Sequence, residues 1–177
     1  MEKSRSRFNE LYWSDKGLKD GAARYIGTID VNGQRHDYGF TVLNTMAVTF
    51  GLAPKERALA ILNWLDNGKT LDNKGVWRTN DIYKWGFAPR MTTIDNQDWW
   101  AVGQKASVFP WGDQIQNGGA DLYESYYDLM ARLKTKGSDD AYKRLMAILH
   151  RYSEPDRLTG YSPLFTGGSV QGGQAGG

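Results

Sequence analysis

Apolar residues recur along most of this chain at helical spacing. Phe8, Leu11 and Tyr12 fall at i, i+3 and i+4, so residues 1–13 read as the last turns of a helix. After the polar turn Ser14-Asp15-Lys16-Gly17 the pattern becomes extended. Runs over 24–30 and 34–38 flank Asn32-Gly33. An Asn-Gly pair supplies two positive-φ positions, which predicts a β-hairpin over about 24–38. A helix over about 39–51 follows, with Phe40, Leu43, Ala47 and Phe50 on one side and Gly51 as its stop. Pro54, tolerated in a first turn, opens a second helix to about Asp66. Its inward positions are Ala58, Ile61, Leu62 and Leu65, and the short link makes the two helices antiparallel neighbours.

Two more helices lie toward the C-terminus. One spans about 119–135, with the stripe Leu122, Tyr126, Leu129 and Leu133, basic Lys134 and Lys136 at its negative end, and Gly137 as cap. Ser138 then caps a helix over about 139–152 with Asp139 and Asp140 in its first turn. Its stripe is Tyr142, Leu145, Met146 and Leu149. Four such stripes on short links predict an all-α class of antiparallel helix hairpins, with one small β-hairpin and no central sheet.

Residues 67–117 break this periodicity. They hold five of the seven Trp, at 77, 85, 99, 100 and 111, in a mostly irregular stretch. Long irregular stretches inside compact domains are uncommon and usually functional. From Asp156 onward periodicity is lost again, and the chain ends in a glycine-rich run.

Composition narrows the chemistry. Aromatics are 13% of the 177 residues, too many for a linker. There is no Cys, which excludes disulfides and thiolate chemistry. With two His, at 36 and 150, a His-based metal site is not expected, and no cofactor is implied. Net charge is +2, with both signs mixed along the chain, so neither a nucleic-acid partner nor a membrane partner is expected. No apolar run approaches the roughly 20 residues of a membrane span. The first residues lack the apolar stretch of a secretory signal, which in a truncated chain says nothing about export.

The order of segments resembles the six-hairpin, (α/α)6 toroid glycoside hydrolases, near the α-L-rhamnosidases and amylo-glucosidases. The segments that carry the likeness begin with Arg7-Phe-Asn-Glu-Leu-Tyr-Trp13, Tyr25-Ile-Gly-Thr-Ile-Asp30 and His36-Asp-Tyr-Gly-Phe40. Phe50-Gly-Leu-Ala-Pro54, Gln116-Asn-Gly-Gly-Ala120 and Asp139-Asp-Ala-Tyr-Lys-Arg144 complete the series, so the likeness runs from about 7 to 177. It implies a carbohydrate substrate and carboxylate acid/base hydrolysis. A full toroid has twelve helices, so the resemblance implies a partial domain over 1–177, truncated at both ends. The rest of the toroid is then its partner, and the catalytic acid and base can lie outside this segment.

A sugar site mixes groups that bond hydroxyls with rings that stack on C–H faces. Residues 95–117 hold such a mixture in Trp99, Trp100, Trp111, Gln116 and Asn117. The alternative is a loop packed by its own Trp, with Asn117 as a helix cap beside two glycines. Asp37 and Tyr38 sit where the hairpin runs into a helix, at the mouth of a toroid cavity. Asp37 is the local candidate for a catalytic carboxylate, with an ordinary helix cap as the alternative. Asp121 and Glu124 are candidates of the same kind that also suit the helix dipole. Arg90, after Phe87-Ala-Pro89, is expected on a carboxylate in a packed corner with residues 81–85. Three readings follow: a glycosidase or phosphorylase segment, a non-catalytic carbohydrate-binding module, and a toroid enzyme such as a lyase or cyclase.

Overall fold

The computed structural model describes residues 2–17, 20–71, 77–79, 81–83, 86, 88–92, 122 and 124–153. These are mostly helical. The elements run α1 (Glu2–Tyr12), β1 (Trp13–Ser14), β2 (Arg24–Tyr25), β3 (Thr28–Ile29), β4 (Arg35–His36), α2 (Thr41–Thr49) and α3 (Lys55–Asn67). Then come β5 (Thr70–Leu71), β6 (Trp77–Thr79), α4 (Ser125–Thr135) and α5 (Ser138–Ser153). The strands pair antiparallel as β1–β2, β3–β4 and β5–β6, each a sheet of two. The single hairpin expected is therefore joined, among the described residues, by two further small ribbons.

The hairpin itself turns differently from the expected register. Thr28 pairs with His36 and Ile29 with Arg35. The Gly33 N–H donates to the Asp30 carbonyl at 3.0 Å, so Val31 and Asn32 are the central residues of the turn. Gly33 follows them with φ of 82°, and the Asp30 carboxylate accepts from the Asn32 and Gln34 amides at 2.8 Å each. Only one positive-φ glycine is used. This is a turn followed by a left-handed residue rather than a two-residue Asn-Gly reversal.

α2 and α3 form an antiparallel pair. α2 closes with Gly51 N–H on the Val48 carbonyl and Leu52 N–H on the Ala47 carbonyl, the bonding of a Schellman cap. Three residues later α3 begins, and it returns so that Leu65, near its end, lines one cavity with Thr41 and Thr45 of α2. α4 and α5 reverse in the same way through Gly137. The two pairs pack mainly through α2 against α4. The core gathers Tyr25, Ala47, Val48, Ala58, Ile61, Leu62, Trp64, Leu65, Ile82, Tyr83 and Ala131, with Phe8 and Tyr12 of α1 closing one side. Asn9 fixes α1: its amide donates to the Leu52 carbonyl, and its oxygen accepts from Tyr25 Oη and Arg57.

The expected inward face holds for α3, whose buried residues are Ala58, Ile61, Leu62, Trp64 and Leu65. On α2 it holds in part, with Ala47 in the core and Leu43 packed against it, and it fails for α4 and α5. α2 buries Thr41, Asn44, Thr45 and Thr49 beside Ala47 and Val48, and leaves Phe50 exposed just beyond its end. α4 buries Ser125, Asp128, Ala131 and Arg132, while Tyr126 and Leu133 face outward. On α5 the whole expected stripe is exposed, from 38% at Leu145 to 61% at Tyr142, and Ile148 and Arg151 are buried instead.

These polar faces can be buried because their groups are bonded. Thr41 Oγ1 donates to the Pro89 carbonyl at 2.6 Å, Thr45 Oγ1 to the Thr41 carbonyl at 3.0 Å, and Thr49 Oγ1 across to the Tyr127 carbonyl at 2.9 Å. Asn44 bonds both the N–H and the carbonyl of Tyr25. Lys134 stands in the last turn of its own helix, as expected, and its ammonium also donates to the Thr49 carbonyl at the end of α2.

Arg132 joins three helices. Its guanidinium donates to Asp128 at 2.9 Å, Asp140 at 2.8 Å, Asp66 at 2.6 Å and Tyr83 Oη at 2.9 Å. Tyr83 Oη donates in turn to Asp128 at 2.7 Å, and Arg144 lies 3.5 Å from the Tyr83 ring centre. Burial, the largest effect, and the Asp128 charge push the Tyr83 hydroxyl well above 10.0, so it stays protonated as the donor in this cluster.

Candidate functional site at the start of two helices

Residues 89–92 meet the segment leading into α2 at the start of that helix, while residues 111–117, expected to converge there, lie outside the described residues. Residues 37–41 lie beside residues 89–92 in an antiparallel contact. Phe40 bridges Met91, Thr41 N–H donates to the Arg90 carbonyl at 3.0 Å, and Thr92 N–H donates to the Gly39 carbonyl at 3.0 Å. Gly39 has φ of 58°, and a Cβ there would collide with the Thr92 side chain. The contact therefore needs glycine on both counts.

Arg90 reaches from this segment to Glu124, Nε to Oε1 at 3.3 Å. The expectation that Arg90 rests on a carboxylate is met. Glu124 is buried, immediately before α4, where the positive end of the helix favours a carboxylate. It shares a small cavity with Thr41, Thr45, Ser125 and Asp128. That cavity holds about 10 Å³, room for one water rather than a sugar ring. Of this lining only Glu124 was singled out from sequence. The available signal for the rest was the short polar series Thr41, Thr45, Thr49 at every fourth residue of α2.

Asp37 is placed otherwise than a catalytic carboxylate requires. Its side chain is wholly buried. Oδ2 accepts from Arg24 at 2.7 Å; Oδ1 accepts from Arg24 at 3.0 Å and from the Gly39 amide at 2.9 Å. The Arg24 guanidinium also bonds Asp20 and lies 4.7 Å from the Trp64 ring centre. Asp37 thus shapes the bend before α2 and has no surface to offer a substrate. Nor is it the helix cap, since Phe40 occupies that position without a side-chain bond.

Tyr38 is half-buried and sits in an aromatic row. Its ring stacks near His36, with centroids 6.4 Å apart and planes at 14°, and meets Phe40 edge-on at 5.5 Å. Met91 backs this row. His36 also lies 3.5 Å from Asp30 Oδ2. The structure therefore brings Tyr38, Arg90 and Glu124 to the same end of the molecule. Trp99, Trp100, Trp111, Gln116, Asn117 and Asp121 lie outside the described residues. Among the described residues no group of His, Asp and Glu is arranged to hold a metal ion, and no helix is long and apolar enough to cross a membrane. No family model, curated protein or solved structure matches this chain.

Proposed function

We propose that this chain is a segment of a six-hairpin toroid glycoside hydrolase, working with the remaining hairpins of that domain to cleave glycosidic bonds in oligo- or polysaccharides. The observation that carries the reading is the contact of residues 89–92 with the segment before α2, beside the Tyr38 row and the Arg90–Glu124 pair. Rings stack on the apolar faces of sugars, and carboxylates and guanidinium groups bond their hydroxyls. Trp99, Trp100, Trp111, Gln116 and Asn117 extend that surface in this reading. The acid and base of hydrolysis then come from carboxylates on other hairpins, about 5–5.5 Å apart for retention or about 6.5–9.5 Å for inversion.

A second reading, a non-catalytic carbohydrate-binding module, is favoured by one observation: both local carboxylates are already engaged, Asp37 by Arg24 and Glu124 by Arg90. Calorimetry with oligosaccharides and assays with aryl-glycosides separate the outcomes. The proposal expects weak binding and no turnover by this chain alone, with turnover in a protein that carries the whole toroid. Trp99→Ala, Trp100→Ala and Trp111→Ala should weaken binding without lowering the Tm. Lost stability with unchanged affinity in all three would mean that the rings only pack the loop. Binding without turnover in the whole protein would favour the module.

A further inference from the structure

Three Asn-Gly pairs occur in this chain, at 32–33, 67–68 and 117–118. The third lies outside the described residues; the first two stand in opposite settings. Asn32 and Gly33 are exposed at the turn between β3 and β4. Among the described residues the Asn32 side chain bonds nothing; only its main-chain amide is held, by Asp30. A Cβ built on Gly33 would meet nothing within 4 Å. The Gly33 N–H donates to the Asp30 carbonyl at 3.0 Å, closing a ribbon of only two residue pairs. So short a ribbon opens locally far more readily than a packed helix. Asn67 instead ends α3, where its side-chain amide donates to the Asn63 carbonyl at 3.0 Å and to Asn63 Oδ1 at 3.1 Å. Gly68 is closed in: a Cβ there would lie 2.5 Å from the Trp64 carbonyl and 2.6 Å from Ile82. Freeing that pair unwinds a turn that buries Trp64 and Leu65. We propose that Asn32 is a site of spontaneous deamidation in the folded chain, and that the fold protects Asn67.

The chemistry needs only water. Once the turn opens, hydroxide takes the Gly33 N–H proton and the nitrogen attacks Cγ of Asn32. Glycine suits this step, since no side chain shields its nitrogen. The N–Cγ bond forms, the Cγ–Nδ2 bond breaks, and Nδ2 leaves as ammonia with a proton from water. A succinimide ring remains, and water opens it in one of two ways. Breaking the N–Cγ bond gives aspartate at 32. Breaking the bond from that nitrogen to the main-chain carbonyl carbon gives isoaspartate, with the chain rerouted through Cβ and Cγ. In sum, asparagine and water become either acid and ammonia. Both products add a negative charge near Asp30, and isoaspartate lengthens the turn by one main-chain atom. The Gly33 bond to the Asp30 carbonyl and the Gln34 bond to its carboxylate then no longer fit one span. This inference is independent of the glycosidase reading.

Peptide mapping of the whole chain by mass spectrometry, after incubation at mildly alkaline pH, tests it. Trypsin releases Asn32 in peptide 25–35 and Asn67 in peptide 58–69. In the native chain the first should gain one mass unit at least about tenfold faster than the second. In urea the two rates should come within about threefold, because both are then open Asn-Gly pairs. Chromatography should split the heavier 25–35 peptide into aspartate and isoaspartate forms. Asn32→Gln, which would need a larger ring, should leave that peptide unchanged. Native rates within about threefold of each other, or a faster change at Asn67, overturn the proposal. A native 25–35 peptide that stays unchanged while urea converts it fully also overturns it, since the turn would then protect Asn32.

Discussion

α3 and α5 have similar periodicity and opposite orientation. In α3 the stripe Ala58, Ile61, Leu62 and Leu65 is buried. In α5 the equivalent stripe is outward and the charged side is inward, held by Arg132, Tyr83 and Gly86. Periodicity measures the angle between apolar and polar faces. It does not say which face looks into the protein, because a polar face whose groups find partners inside the fold, as Asp140 does on Arg132, can be buried too. The pair of helices therefore rests on two kinds of stabilisation, apolar burial in the first hairpin and a charged cluster between the hairpins.

The largest expected effect comes from removing the charged centre. Arg132→Leu should destabilise by about 3–5 kcal/mol, since Asp128 is left buried without its cation. Urea unfolding followed by Trp fluorescence measures it; a loss near zero would mean that apolar burial alone joins the hairpins. The cluster also has an acid limit. Burial, the largest single influence, raises the Asp66 carboxyl, but the hydrogen bonds of Arg132 and Lys136 together bring it below its ordinary 3.8. A carboxyl depressed in the fold adds stability that is complete above that ordinary value. It is lost as pH falls toward the lower folded value. Asp66→Asn should therefore flatten the acid side of the stability profile. A profile identical to that of the parent chain would remove Asp66 from the account.

Next in size is the contrast between the two helices themselves. Leu62 is fully buried, so Leu62→Ala should cost about 2–5 kcal/mol. Leu145 is 38% exposed, so Leu145→Ala in dilute chain should stay within about 0.5 kcal/mol. Chemical denaturation at low concentration compares them directly. Equal losses would show that α5 turns its stripe inward in solution.

How much of this was legible follows from what is local. Helix ends were readable from spacing and from Gly51 and Gly137, which end α2 and α4, but α4 begins at Ser125 rather than about 119, leaving Leu122 outside it. The inward face of α3 was readable because its stripe is apolar and continuous. The polar part of the α2 face and the inward faces of α4 and α5 were not, because their burial depends on partners far along the chain. Arg132 needs Asp66 and Tyr83, and Thr49 needs the Tyr127 carbonyl. At the candidate site, Asp37, Tyr38 and Arg90 could be singled out, and a carboxylate was expected for Arg90. That Arg24 takes up Asp37 could not be seen, since the two meet only through the fold of the β2 segment against the bend before α2.

The smallest expected effect tests the turn between β3 and β4. If Asn32 and Gly33 were its two central residues, both would need positive φ, and replacing either would cost stability. In the structure the turn closes from Gly33 to Asp30, and Gly33 carries φ of 82°. A Cβ at Gly33 meets nothing within 4 Å, so Gly33→Ala suffers only the left-handed backbone, about 1–2 kcal/mol. Asn32 is exposed and serves through its main-chain amide, which donates to Asp30. Asn32→Ala keeps that amide and should change stability by no more than about 0.5 kcal/mol. Asp30→Ala gives the intermediate case, because it removes the acceptor of both the Asn32 and Gln34 amides while leaving the backbone path unchanged. Thermal unfolding of the three variants ranks them. A loss at Asn32→Ala equal to that at Gly33→Ala would return the turn to a two-residue reversal and shift the pairing of Thr28 with His36.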